Sequence, residues 1–232
     1  MTNPLVRNPA DPFEWSRILV SGPEAEPFLQ GQLSQDLREV GPDGVWSLLL
    51  HPNSDVLTSC LVKRDGEAFT LLVPRAVSGA AHARLKRFHL RVNCTIDVAE
   101  AEHGPFDTVG EQVRSGSPGP DEFAPGLAPQ SFGAAFVAST VSFTKGCFTG
   151  QELVGRLDAR GSSVPWRFVR CKGPSIEAIE DVLRAKGPDG PRGVTTAVNS
   201  GDTVVALGFV HRSALGAESS FTEGDVSVEA IG

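Results

Sequence analysis

Lys145-Gly-Cys-Phe-Thr-Gly-Gln-Glu152 is the most informative segment of this 232-residue chain. Thr149 and Glu152 have the spacing of a capping box, in which a hydroxyl and a carboxylate each bond a free amide at a helix start. Apolar residues then recur at helical spacing, and Arg156 lies one turn after Glu152, where an intrahelical ion pair is expected. The segment therefore predicts a helix that is capped by Thr149, with Gly161 available to end it.

Cys147 is the candidate reactive residue of this segment. It lies two residues before the predicted cap, near the positive end of the helix dipole, and two residues after Lys145, and both features favour a thiolate. Gly146 and Gly150 leave room for the close approach of a ligand. A buried structural cysteine fits the same pattern, because free cysteine is among the most buried residue types. The residues alone leave both interpretations open.

The chain before this segment predicts an α+β domain. Apolar runs separated by turn residues indicate an antiparallel meander that is followed by a helix and one more strand. The sequence Ser-Gly-Pro-Glu at 21–24 predicts an earlier helix with its own capping box. Dense Gly and Pro residues between 102 and 130 predict connecting loops. The predicted strands are 45–50, 56–62, 69–73 and 90–98, and the predicted helix is 76–88.

After residue 164 the sequence changes to short apolar runs separated by Gly-Pro clusters, which is typical of a small β domain. The runs lie at 168–171, 204–210 and 226–231. We therefore predict two domains, an α+β region at 1–164 and a β domain at 165–232.

Composition and charge disfavour several classes of function. The formal net charge is −7 and no basic run offers a stripe to phosphate groups, so direct nucleic-acid binding is not expected. No run approaches the roughly 20 apolar residues of a membrane span, so a cytoplasmic protein without membrane contact is expected. The histidines lack metal-ligand spacing and the cysteines lack paired spacing, so neither a metal site nor a disulfide framework is predicted. Three cysteines in apolar contexts are predicted core residues: Cys60, Cys94 and Cys171.

The segment at 145–152 resembles the K-G-C-[YF]-x-G-Q-E signature of the YgfZ family, a folate-binding group within the glycine-cleavage T-protein superfamily. The segment Phe28-Leu-Gln-Gly-Gln-Leu-Ser-Gln-Asp36 is similar to the family's F-L-Q-G-Q-x-[TS]-x-D sequence. The resemblance covers nearly the whole chain. It continues at 48–52, at Arg156 with Arg160 and Gly161, at 193–197 and at 206–212.

The resemblance implies a T-protein-like fold, which is a ring of α+β lobes with a C-terminal β-barrel domain. Residues 1–164 are then a folate-binding region of two intertwined lobes, and residues 165–232 are the barrel. Tetrahydrofolate, or a reduced folate derivative, is expected in a central channel. The implied role is support of iron–sulfur enzymes, including those that modify tRNA, through contacts with client or assembly proteins. We expect a monomer.

By the same resemblance, Cys147 and Lys145 are expected to carry the chemistry. Lys145 is placed to pair with the glutamate tail of folate or with an anionic intermediate. Gln151 and Glu152 offer polar groups to the edge of the pterin ring. The residues expected around the cofactor are Gly146, Phe148, Gly150, Gln151 and Glu152.

One position departs from the T-proteins that transfer aminomethyl groups. Their second meander strand carries an aspartate near the folate nitrogen, whereas Ser59 stands at the matching place in this chain. A hydroxyl cannot supply the negative charge that assists a proton transfer or stabilises a cationic iminium. We favour a folate-binding accessory protein for iron–sulfur enzymes. The alternatives are a folate-dependent aminomethyl or one-carbon transferase and a folate-free interaction module on the same fold.

Overall fold

A computed structural model describes residues 3–38, 40–101, 103–161, 163–188, 190–191, 193–215 and 219–232. The strands are β1 (Val6–Arg7), β2 (Trp15–Ser21), β3 (Val45–Leu50), β4 (Val56–Asp65), β5 (Ala68–Pro74), β6 (Thr95–Ala101), β7 (Trp166–Gly173), β8 (Gly193–Ser200), β9 (Thr203–His211), β10 (Ser220–Glu223) and β11 (Val226–Ala230). The helices are α1 (Ala25–Gln30), α2 (Arg75–Phe88), α3 (Val109–Ser115), α4 (Pro120–Phe123), α5 (Ala134–Thr140), α6 (Gln151–Ala159), α7 (Ile176–Ala185) and α8 (Arg212–Leu215), with a 3₁₀ turn at Pro129–Phe132. The mixed α+β class is confirmed.

The N-terminal half builds a five-stranded antiparallel sheet in the order β3-β4-β5-β2-β6. The predicted meander over β3, β4 and β5 and the predicted helix α2 are confirmed to within a few residues. The strand predicted at 90–98 begins only at Thr95, because Arg91 adopts a positive φ of 60° and turns the chain before it. Strand β2 was not predicted, and it lies between β5 and β6.

Helices α1 and α2 cover one face of this sheet. The capping box predicted at 21–24 is wrong, because Ser21 ends β2 and α1 begins after Glu24 without a side-chain cap. Alternate residues of each strand meet the two helices, and full burial of one large apolar side chain stabilises the fold by about 1.5–3 kcal/mol. This core includes Ile18, Val20, Phe28, Leu29, Phe69, Leu71 and Leu85.

The C-terminal part forms a six-stranded sheet in the order β1-β8-β9-β7-β11-β10, in which only β1 and β8 pair in parallel. Helix α7 packs its apolar side, with Ile176, Ile179 and Leu183, into the core of this sheet. The β character is confirmed, but closure into a barrel is not, because β1 and β10 are the two edges and do not pair within the described residues. Since β1 comes from the start of the chain, the boundary at 164 stays a prediction.

The segment between β6 and β7, called the middle segment below, is more ordered than the loops predicted for 102–130. Helix α3 begins with a capping box at Thr108. A cluster of buried rings follows, in which the Phe132 ring centroid lies 5.5 Å from that of Phe168 and 5.7 Å from that of Phe209. Apolar residues of β3 belong to the same cluster. This middle segment is therefore packed between the two sheets and fixes their relative position.

A buried carboxylate adds a polar link between the middle segment and β8. Glu122 accepts hydrogen bonds from the Gly119 N–H (2.7 Å) and from the hydroxyls of Thr195 and Thr196 (2.7 Å each). Glu122 is 1% exposed, and burial raises the pKa of its carboxyl above the ordinary value. These neutral donors compensate part of the cost of desolvating the carboxylate.

The four cysteines are separate free thiols. Cys60 and Cys171 are buried, as predicted, and burial raises the pKa of each to about 12. Cys94 is only partly buried at the edge of the N-terminal core, so its prediction as a core residue is met in part.

Over the described ranges, no cluster of His, Cys, Asp and Glu side chains could hold a metal ion. No helix found in those ranges has the length and apolarity needed to cross a membrane.

Candidate functional site

Lys145 anchors the segment that the sequence singled out. It is 6% exposed. Its Nζ donates to three backbone carbonyls, those of Gln30 (2.8 Å), Leu33 (2.7 Å) and Gln35 (2.9 Å). An ammonium has three N–H donors, so all of them are used. Burial lowers the pKa of Lys145 to about 8 while the charge of Asp36 opposes that shift, so the amine is mostly protonated at neutral pH.

These bonds bear on the predicted role of Lys145. To pair with a ligand, the ammonium must leave carbonyls that are then unsatisfied, at a cost of about 1–3 kcal/mol for each buried group. The bonds join segment 145–152 to segment 28–36, which are the two stretches with the longest family resemblance. The observed role of Lys145 is therefore structural, and its catalytic role stays a prediction.

Ser34 makes a second link from segment 28–36. Its fully buried hydroxyl donates to the Thr140 carbonyl (2.6 Å) and accepts from the Leu48 N–H (2.8 Å). Its carbonyl accepts from the Ser142 N–H (3.0 Å). The hydroxyl of Ser34 thus ties the end of α5 to β3, and its carbonyl fixes the start of the loop that leads to Lys145.

Helix α6 begins one residue later than predicted. Gly150 is the N-cap residue, with a φ of 85°, and no side chain caps the helix. A Cβ at Gly150 would lie 2.7 Å from the carbonyl oxygen of His51, so the turn requires glycine. Thr149 donates its N–H to the carbonyl of Gly31 (3.0 Å), and its hydroxyl lies 3.4 Å from the same oxygen. The cap predicted at Thr149 is wrong because Thr149 faces segment 28–36 instead of the helix.

The other residues expected around a cofactor divide between core and surface. Phe148 is buried in the central cluster of rings, and its N–H lies 3.4 Å from Oε1 of Gln151. Glu152 is exposed and pairs with Arg156 at 2.6 Å, which confirms the predicted ion pair. Gly146 lies at the surface, where an added Cβ would meet no atom within 4 Å. Their contact with a ligand stays a prediction.

Cys147 is exposed in the loop before α6. This placement contradicts the alternative of a buried structural cysteine. Because the thiol is exposed, a reagent or a protein partner reaches it directly from solvent. It does not line the cleft described next. Its reactivity stays a prediction.

A cleft of about 120 Å³ lies on the face of the N-terminal sheet opposite α1 and α2. The middle segment covers this part of the sheet. Five of the eleven described residues that line it are aromatic, and aromatic surfaces bind flat apolar rings well. Two of the rings come from strands β2 and β3, one comes from α5, and two come from the segments beside β2 and β6. These residues are Trp15, Trp46, Phe136, Phe13 and Phe106.

Trp15 forms a rigid wall of this cleft. It is 4% exposed, and its Nε1–H donates to the Phe106 carbonyl at 2.9 Å. Its ring centroid lies 5.1 Å from that of Phe13 and 6.0 Å from that of Phe106. Gly104 packs against the indole so closely that a Cβ would come within 2.2 Å of the ring. A wall that is already fixed loses little entropy when a ligand binds.

Two polar groups of the cleft are free to bind a ligand. The Ser59 hydroxyl and the Trp46 indole N–H make no hydrogen bond within the part of the chain that the structure describes. The hydroxyls of Ser139 and Thr140 are engaged, since both donate to the Phe136 carbonyl, at 3.0 and 2.6 Å. No ionisable side chain occurs among the described residues that line the cleft. The cleft therefore suits a flat ring with a polar edge, and it lacks a group for proton transfer.

The signature segment and the cleft are separate but joined by the chain. Thr140 lines the cleft, and its carbonyl accepts a hydrogen bond from the Ser34 hydroxyl. Lys145, five residues later, is bonded to segment 28–36. Sequence reasoning identified Ser59 and missed the aromatic walls. The positions of Trp15 and Trp46 on strands carry no signal by themselves, because either face of a strand can be buried.

No protein-family model matches the chain, and no curated protein matches it. Among solved structures, the chain is similar to the glycine cleavage system aminomethyltransferase T from Bartonella henselae, with a TM-score of 0.61 and 16% identity. The match covers 98% of this chain and 86% of that chain. The expectation of a T-protein-like fold is confirmed, whereas membership of the YgfZ family stays a prediction. The chain has the fold of the aminomethyltransferase T proteins.

Proposed function

We propose that this protein binds a reduced folate and supports iron–sulfur enzymes as an accessory protein, without transferring an aminomethyl group. The observation that carries the proposal is the cleft, which combines aromatic walls, two free polar groups and no ionisable side chain. The T-protein-like fold and the resemblance of segments 28–36 and 145–152 to the YgfZ family support it.

The pterin ring of tetrahydrofolate matches the chemistry of this cleft. A pterin is flat and bicyclic, and its edge carries both hydrogen-bond donors and acceptors. Aromatic side chains such as Trp15 bind its faces. The Ser59 hydroxyl both donates and accepts, and the Trp46 N–H donates, so the two groups can satisfy part of the polar edge.

A transferase needs more than this cleft offers. Transfer of an aminomethyl group creates and consumes charge at the folate nitrogen, which requires an acid, a base or a fixed negative charge close by. Ser59 supplies none of these, and it lies on β4 among uncharged neighbours. An accessory role that depends on ligand binding needs no such group.

In this proposal Cys147 is the point of contact with iron–sulfur clients or assembly proteins, including enzymes that modify tRNA. Its exposure, outside the cleft, supports a contact between proteins. The protein acts as a cytoplasmic monomer and does not bind nucleic acid itself.

Calorimetric titration with tetrahydrofolate tests the ligand. Binding is expected, and ligand at about 100 times its Kd should stabilise the fold by about 2.7 kcal/mol. Ser59→Ala and Trp46→Phe should each weaken binding about three- to tenfold, because each removes one hydrogen bond worth about 0.5–1.5 kcal/mol. Ser227→Ala, at an exposed position of β11, serves as the control. Absence of both heat and thermal shift would favour the folate-free interaction module.

Two further assays test the role. A glycine-cleavage half-reaction should show no turnover, and turnover above background would favour the transferase. In cells that lack the endogenous protein, the wild type should restore the activity of iron–sulfur enzymes, and Cys147→Ser should not. Full restoration by Cys147→Ser would show that the thiol is dispensable, while leaving the folate site untouched.

A further inference from the structure

The C-terminal end of α2 does not follow the pattern of an ordinary surface helix. Its mixture of cations and apolar residues predicts that Leu85 and Phe88 are buried and that the charged side chains lie in solvent. Leu85 is buried, but Arg84 is only 7% exposed whereas Phe88 is 38% exposed. The guanidinium carbon of Arg84 lies 4.3 Å from the centroid of the Phe88 ring. The ring therefore covers a buried cation and leaves part of its own surface open to solvent.

The buried charge of Arg84 has no counter-ion. Its Nε donates to the Leu50 carbonyl and its Nη1 to Oε1 of Gln32, both at 3.0 Å. Its Nη2 finds no acceptor, and no carboxylate pairs with the guanidinium, among the residues that the structure describes. Burial lowers the pKa of Arg84 below its ordinary value, and the neighbouring charge of Arg87 lowers it further. Two like charges thus lie close together, an arrangement whose cost falls when an anionic group docks beside them.

The end of α2 and the loop after it also carry free cations at the surface. Lys86, Arg87 and Arg91 are exposed, and none of them makes an ion pair or a side-chain hydrogen bond within the described part of the chain. This concentration of unpaired positive charge runs against the formal net charge of −7. Arg91 also holds a positive φ of 60°, a conformation that costs free energy in residues other than glycine. Together with Phe88 and Leu90, these three residues form a surface that we call the α2 patch.

Leu90 gives the α2 patch an apolar centre on a fixed loop. It is 78% exposed. The His89 ring donates its Nε2–H to the Cys94 carbonyl at 2.9 Å, and the Asn93 N–H donates to the carboxylate of Glu24. These bonds hold the loop on both sides of Leu90. A large apolar side chain that is already fixed in place loses little entropy on docking, and its burial removes apolar surface from water.

The α2 patch lies beside the loop that carries Cys147. Oε1 of Gln32, which accepts the hydrogen bond from Arg84, lies 3.5 Å from the Thr149 hydroxyl. Thr149 follows Cys147 by two residues. A protein that covers the α2 patch therefore also comes close to the exposed thiol.

We propose that the α2 patch docks an acidic amphipathic segment of the protein partner that Cys147 contacts, an inference that rests on the proposed function. Carboxylates of the segment pair with the free cations, and its apolar side chains cover Leu90 and Phe88. A lipid surface fits less well, because recognition of anionic lipid takes a cluster of about 4–8 cations, whereas the exposed cations here are Lys86, Arg87 and Arg91.

Fluorescence anisotropy with synthetic peptides tests this surface. The acidic peptide has about 14 residues, with leucines at helical spacing and glutamates between them, and two analogues carry glutamine or lysine in place of glutamate. The wild type should bind the acidic peptide about five- to tenfold tighter than the glutamine peptide, as expected for two or three exposed ion pairs. Arg87→Glu/Arg91→Glu should reverse the order and prefer the lysine peptide.

Matched variants control for charge and for exposed apolar surface. Arg17→Glu/Lys63→Glu makes the same change of charge at two exposed, unpaired cations on the opposite face of the N-terminal sheet, so it should keep the preference for the acidic peptide. Leu90→Ser should weaken binding of the acidic peptide about fivefold or more and leave the Tm unchanged, because Leu90 is exposed. Leu19→Ser, at an exposed leucine on the opposite face, should bind the acidic peptide as the wild type does.

The outcomes separate the docking surface from the proposed function. No binding, equal affinity for the three peptides, or an Arg87→Glu/Arg91→Glu variant that keeps the acidic preference overturns the docking surface. Binding to phosphatidylglycerol vesicles in place of the acidic peptide overturns the choice of a protein partner.

A complementation assay links the surface to the partner of Cys147. In cells that lack the endogenous protein, Arg87→Glu/Arg91→Glu should fail to restore iron–sulfur enzymes although it binds tetrahydrofolate as the wild type does. Full restoration by this variant would show that the partner docks elsewhere. If the wild type itself restores nothing, the proposed function fails, and the peptides alone decide the docking surface.

Discussion

Replacing Lys145 with methionine tests whether its ammonium holds the fold. The substitution keeps most of the apolar stem and removes the donors to three carbonyls. Unsatisfied buried acceptors cost about 1–3 kcal/mol each, but removal of the ammonium also relieves its own desolvation. We expect a net loss of about 2–4 kcal/mol, a large part of a typical total of about 5–15 kcal/mol.

Urea and thermal denaturation, followed by circular dichroism, measure this loss. For a chain of this size the expected loss lowers the Tm by roughly 5–15 °C. Lys172→Met, at an exposed position of β7, is the matched control and should stay within about 0.5 kcal/mol of the wild type. A Lys145→Met midpoint equal to that of the control would refute the structural role. Weaker folate binding with unchanged stability would restore Lys145 as a ligand residue.

Gly150→Ala should destabilise by about 1 kcal/mol or more, because the residue has a φ of 85° and a Cβ would lie 2.7 Å from a carbonyl oxygen; an unchanged urea midpoint would contradict this. Glu122→Gln should flatten the pH dependence of stability: the folded pKa is raised, so the contribution of Glu122 is full below the ordinary carboxyl pKa and is lost as pH rises through the folded value. Urea midpoints measured from pH 4 to pH 8 check this, and identical slopes in both proteins would show that Glu122 does not titrate differently on folding. Cys147 should be alkylated first in the native protein because Cys60 and Cys171 are buried, and mass spectrometry that finds all three labelled at equal rates would contradict the structure.

The regular elements that have local signals could be predicted from the sequence. Strands β3, β4 and β5 show apolar runs bounded by turn residues, and their positions were predicted closely. Strand β2 was missed because Arg17 and Ser16 interrupt its apolar pattern, although Ile18 and Val20 are buried. Its place in the middle of the sheet depends on pairing with β5 and β6, which are far away in the sequence.

The error at Thr149 shows how a local rule loses to tertiary contacts. The capping-box spacing from Thr149 to Glu152 is real in the sequence, but the Thr149 N–H is bonded to Gly31, more than a hundred residues away. The left-handed conformation of Gly150 then starts the helix one residue later. Local spacing alone could not reveal this, because the competing acceptor belongs to a distant segment.

The cleft could not be predicted for the same reason. Its walls come from separate parts of the middle segment and from separate strands. Only the sheet register brings Trp15 next to Pro74. The segments that resemble a known family act mainly as a frame: Ser34 holds the end of α5 near β3, and Lys145 holds its own loop against segment 28–36. Resemblance in such a frame predicts the fold better than it predicts the chemistry. In the proposed function, residues outside the frame select the ligand, above all Ser59, and a single change there separates ligand binding from group transfer on the same fold.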